Sequence, residues 1–127
     1  GLSFGVIEAF RQVLPEQPLE LVHRLDRETS GCLLLAKNRQ ILAQLHEMLR
    51  HEKIMHIEKT YLALVDGEWN LGSTTVDIGL SKIKRGGEHI MQTDKHGDRA
   101  ISHFEIMESF ETDAGNPCSL MKVTIDT

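Results

Sequence analysis

"RAISHFEIMESF", residues 99–110, is the stretch that decides the fold class of this 127-residue chain. Ile101, His103, Glu105 and Met107 alternate with Ser102, Phe104 and Ile106. A period of two sends the two sets to opposite faces of a strand. One face can then be buried while the other meets solvent, which is the habit of an antiparallel sheet. The segments around it carry strand and turn signals too. "KTYLALVDG" (59–67) reads as a strand closed by a turn at Asp66–Gly67, and "STTVDIGL" (73–80) as another. "KRGGE" (84–88) reads as a hairpin turn, "DAGNP" (113–117) as a loop, and "SLMKVTID" (119–126) as a last strand.

The first half has a different period. Val6, Ile7, Phe10, Val13 and Leu14 form one apolar stripe, so residues 3–14 are expected to be a helix. Ser3 is placed to cap it, Leu2 and Ile7 to staple its entry, and Pro15 to end it. Ile41, Leu42, Leu45, Met48 and Leu49 repeat the stripe in a helix over 39–51, with Asn38 at its N-cap. "CLLLAK" (32–37) between them reads as a short buried strand. Helix, strand, helix and then several strands make an α+β fold: a largely antiparallel, mixed sheet with flanking helices.

Forty per cent apolar and 26% charged residues are ordinary for a soluble domain. No apolar run approaches the ~20 residues that span a bilayer, and the first residues lack the pattern of a secretory signal. Cys32 and Cys118 stand far apart with no CxxC, so both are expected to be reduced thiols in or near the core of a cytoplasmic protein. A net charge of −5 argues, taken whole, against nucleic acid. The charge is unevenly spread, however. Residues 21–60 hold seven Lys/Arg against five Asp/Glu, and residues 82–99 hold five against three. The two segments can form one basic face or belong to a mixed solvated surface.

Several chemistries fail on spacing. "HEKIMH" (51–56) has one residue too many for the zinc helix motif HExxH, and His51 and His56 stand about 140° apart around a helix. "KIKRGGE" (82–88) lacks the GK[ST] ending of a phosphate loop, and is read as a solvated hairpin tip in preference to an RNA contact. There is no GxSxG. A carboxylate-dependent glycosidase needs a second acid at a fixed separation, and none stands out.

"HRLDRETSG" (23–31) is the densest polar cluster, set between the apolar "LELV" and "CLLLA". One reading is a polar loop in which Asp26 pairs with Arg24 or Arg27, Glu28 caps a turn, and Thr29 and Ser30 bond free backbone groups. The other is a reactive site. Cations beside Asp26 keep its carboxylate ionised and nucleophilic, and they suit a phosphorylated or nucleic-acid substrate.

"LVHRLDRETSGCLLLAKN" (21–38) resembles the HRLDxxTSG signature of the RluA-type RNA pseudouridine synthases, and every fixed position matches. "LHEMLR" (45–50) and "EKTYLALVDGEW" (58–69) resemble the next segments of that family, in order. The resemblance implies isomerisation of uridine to pseudouridine in large-subunit (23S) ribosomal RNA, with no metal, no organic cofactor and no membrane. By similarity Asp26 is the catalytic carboxylate, attacking either the ribose C1′ or the uracil ring. Arg24 helps displace the target nucleotide and fills its place, and Tyr61 packs on the flipped uracil. Arg27 meets phosphate or forms a structural salt bridge. A noncatalytic RNA-binding module of the same fold is the alternative.

The family's upstream KPxG segment and its S4-type RNA-binding domain are absent. So is the downstream GRxHQIR motif, whose arginine pairs with the catalytic carboxylate. Residues 1–127 are therefore expected to be part of a catalytic domain truncated at both ends, and inactive alone. Without that arginine, Arg24 and Arg27 are expected to turn toward Asp26.

Overall fold

The computed structural model describes residues 5–50 and 57–126. They form two compact units, one within residues 1–56 and the other within 57–127. Among the described residues no helix is long and apolar enough to cross a membrane.

In the first unit, helix α1 spans Val6–Val13, starting with the apolar stripe and shorter than the expected 3–14. Its N-cap is Gly5, whose N–H donates to the Glu8 carboxylate at 2.9 Å. Ser3 and Leu2 lie outside the described residues. Leu14, at φ −126° and ψ 62°, leaves the helical conformation just before Pro15, and the helix ends there as expected. Strands β1 (Glu20–Leu21) and β2 (Leu35–Ala36) pair antiparallel, and α2 (Arg39–Leu49) follows. Asn38 does cap α2: its Oδ1 accepts from the Ile41 N–H at 2.8 Å.

The core of this unit is Ile7, Leu19, Val22 and Ala36. The α1 stripe is not buried beyond Ile7: Val6, Phe10, Val13 and Leu14 stay exposed. A unit this short has little surface to bury them against. "CLLLAK" yields only a two-residue strand, and Cys32 is exposed rather than near-core. Cys118, in the second unit, is buried as expected.

The second unit is a five-stranded sheet of order β3-β7-β6-β4-β5, from β3 (Lys59–Asp66), β4 (Thr74–Arg85), β5 (Glu88–Thr93), β6 (Asp98–Glu111) and β7 (Pro117–Ile125). Every pairing is antiparallel, so the sheet is not mixed among the described residues. The hairpin between β4 and β5 turns at Gly86–Gly87, where "KRGGE" placed it. The alternation in β6 holds through Ile106; a bulge between Ile106 and Glu108 then breaks the register and leaves Met107 exposed.

Register assigns the faces. Tyr61, Val123, Phe104 and Thr74 lie in one row across β3, β7, β6 and β4. Met121, opposite Ala63 and Ile106 on the same face, is fully buried. The Trp69 ring stacks on Phe104 with centroids 5.6 Å apart. Ser119 is also fully buried; its hydroxyl accepts from the Trp69 N–H at 2.9 Å and donates to the Gly67 carbonyl at 3.0 Å. One side chain thus ties the segment after β3 to β7. Ser119→Ala leaves both backbone groups without that partner, and denaturant unfolding should show a loss of about 1–3 kcal/mol.

The β5–β6 turn is anchored in the same way. Asp94 accepts from the Ser81 hydroxyl at 2.6 Å and from the His96 N–H at 2.9 Å. These bonds, Ser81's first, hold its carboxyl below the ordinary 3.8. Their stabilising effect is present above that value and is lost as pH falls through the lower one.

Candidate functional site

The first unit builds the polar cluster as a loop hung from the β1–β2 ladder. The ladder pairs Glu20 with Ala36 and Leu21 with Leu35. The next pair is Val22 with Leu34, and only half of its exchange forms: the Val22 N–H donates to the Leu34 carbonyl at 3.1 Å. The Leu34 N–H donates instead to Nε2 of His23 at 3.1 Å. The Val22 carbonyl is met by Nε2 of His46, from α2, at 3.1 Å. Residues 23–33 stand out beyond this neck.

Asp26 sits at the far part of the loop. Its carbonyl accepts from the Thr29 N–H at 3.0 Å, which closes a four-residue turn with Arg27 and Glu28 at the centre. Its side chain and that of Arg24 are exposed and have no hydrogen-bond or ion-pair partner among the described residues. Arg27 lies 3.7 Å from Glu28, with both side chains more than nine-tenths exposed. A pair so solvated adds little to stability. The expected inward turn of Arg24 and Arg27 onto Asp26 therefore does not occur; all three residues are exposed instead. Gly31, which closes the motif, has φ +136°, a conformation that side-chain-bearing residues rarely adopt.

Tyr61 belongs to the other unit. It is half-buried on β3, in the row with Val123 and Phe104, on the face that carries the Trp69–Phe104 stack. "HEKIMH" lies outside the described residues.

The opposite face of that sheet carries a polar line that sequence reading missed. Thr60, Thr124, His103 and Thr75 share a row. The His103 Nε2 lies 2.8 Å from the Asp126 carboxylate, and its Nδ1 lies 2.9 Å from the Thr75 hydroxyl. A carboxylate only accepts, so Nε2 holds the hydrogen. A shallow cleft of about 210 Å³ opens here, lined by Thr75, His103, Glu105, Lys122 and Thr124 among others. Tyr61 is not among its lining residues. No local signal marks this line, because the residues that meet in it lie more than 20 positions apart in sequence.

Residues 5–127 match the family described as RNA pseudouridylate synthase. The chain belongs to that family. It is 47% identical over 113 residues to ribosomal large subunit pseudouridine synthase C of Yersinia pestis, and 49% identical over 112 residues to the same protein of Escherichia coli (strain K12). Each alignment covers 87% of this chain and 34% of the relative, so the chain spans about a third of their length. Among solved structures it is similar to human RNA pseudouridylate synthase domain containing 1, with a TM-score of 0.74 at 22% identity. That likeness covers 94% of this chain and 49% of the human chain, and it shows that the α+β, antiparallel architecture is the family's fold.

Proposed function

We propose that this chain is the part of an RNA pseudouridine synthase that carries the nucleophilic carboxylate, acting on uridine in large-subunit ribosomal RNA in the cytoplasm. The carrying observation is Asp26: an exposed carboxylate with no partner among the described residues, beside two arginines, on a loop closed at its neck. Family membership and the named relatives support the reaction class.

Each residue then has a task. Asp26 attacks the ribose C1′ or the uracil ring. In either course the C1′–N1 bond breaks and C5 bonds to C1′, the bond made by Asp26 breaks to return the free carboxylate, and C5 gives up its proton to solvent while N1 takes one from it. Arg24, exposed and without a partner among the described residues, enters the stack where the target nucleotide was, and Arg27 meets phosphate. Extruding a base costs a few kcal/mol, which these contacts offset. Tyr61 stacks on the displaced uracil. Neither a metal nor an organic cofactor takes part in this scheme.

Tritium release from C5-labelled uridine in ribosomal RNA, measured on the full-length protein, tests the reading. Release that tracks product formation is expected. RNA binding with no release would instead favour a noncatalytic RNA-binding module. The stacking role has its own test. Tyr61→Phe should bind RNA more tightly than Tyr61→Leu, by about 1–3 kcal/mol, because the ring face makes the contact. Equal affinities of the two variants would remove Tyr61 from the stack.

A further inference from the structure

The geometry points to His46, acting with His23, as a positioning residue for the Asp26 loop. This rests on reading Asp26 as the reactive carboxylate. In an antiparallel ladder the pair Val22–Leu34 exchanges two backbone hydrogen bonds. Here one is made, and two imidazoles intercept the other. His23 takes up the Leu34 N–H, so its Nε2 carries no proton. His46 serves the Val22 carbonyl, which can only accept, so its Nε2 donates. The strands are released from each other at this point with neither backbone group left unpaired. The sheet stops, and the loop begins from a fixed neck.

The two histidines differ in what they bring. His23 lies in the loop and is bound to the opposite strand. His46 lies 24 residues away on α2 and ties the neck to a helix. Val22 is 5% exposed and therefore held by packing as well. Asp26 is four residues beyond it. With the neck held, the carboxylate has a few residues of freedom. Without it, Asp26 would hang on a longer free segment, and displacing a reacting group by about 1 Å can cost roughly 100-fold in rate. His46 touches neither substrate nor reacting atoms in this account; it acts through Val22.

The test uses the full-length protein in single-turnover tritium release at saturating RNA, with RNA affinity and thermal midpoint measured alongside. His46→Leu should slow the step by about tenfold or more while RNA affinity stays within about threefold. His46→Gln, whose amide can reach with a donor in the place of Nε2, should restore most of the rate. If the Leu variant does not fold, Gln is compared with His46→Glu, which has the same reach and no donor when ionised; Gln fast and Glu slow supports the inference. A wild-type rate in the Leu variant, or equal rates in the variants compared, overturns it. Asp26→Asn run beside them separates the two levels. Asp26→Asn inactive with His46→Leu at wild-type rate overturns only the positioning role, whereas Asp26→Asn active overturns the catalytic reading and this inference with it.

Discussion

Asp26→Asn, in the full-length protein, should lower pseudouridine formation by at least about a thousandfold, as removal of a nucleophile does elsewhere. Asn keeps the size and shape of Asp and loses the charge and the nucleophilic oxygen. The structure makes this a clean substitution. The Asp26 side chain has no partner among the described residues, and the turn at that position is held by its backbone carbonyl. Thermal midpoint and RNA affinity should therefore stay close to wild type while the rate collapses. Turnover within about tenfold of wild type would remove Asp26 from the chemistry.

Gly79→Ala should destabilise the second unit severely, by about 3 kcal/mol or more. Gly79 is mid-strand in β4, where its carbonyl accepts from the Asp94 N–H at 2.9 Å. A Cβ at Gly79 would fall on the Asp94 carbonyl oxygen, closer than carbon and oxygen can approach, with the Gly97 carbonyl oxygen 3.3 Å away. Both obstacles are backbone, in a turn pinned by Ser81 and by the Leu80–Asp98 pairing, so neither yields cheaply. Gly115→Ala is the control: its Cβ meets nothing within 4 Å, and its only cost is the positive φ of +76°. Denaturant unfolding should rank Gly79→Ala well below Gly115→Ala in stability. Similar losses would mean that the β5–β6 turn moves freely away from β4.

The features legible in the sequence are those set by neighbours a few residues apart. Asn38 caps α2 because its side chain reaches an N–H three positions on. Gly86–Gly87 turns the β4–β5 hairpin because both residues adopt positive φ. Alternation in β6 puts Phe104 and Ile106 on one face because the pleat has a period of two. The cluster at residues 23–31 stands out by its chemistry, and its motif carries the family signature within nine consecutive residues.

What only the tertiary structure decided depends on partners far along the chain. "CLLLAK" has the composition of a buried strand, yet the ladder ends at Leu35 because His23 and His46 take the next pair's bonding groups. The α1 stripe predicts an apolar face but not whether anything covers it. Pairing of β3 with β7, the first and last strands of the second unit, sets Tyr61 beside Val123 and in line with Phe104. Thr75, His103 and Asp126 meet for the same reason. A local pattern fixes which way a side chain points relative to its own backbone; which residue it faces depends on chain closure and register, and those are settled by packing summed over the whole sheet.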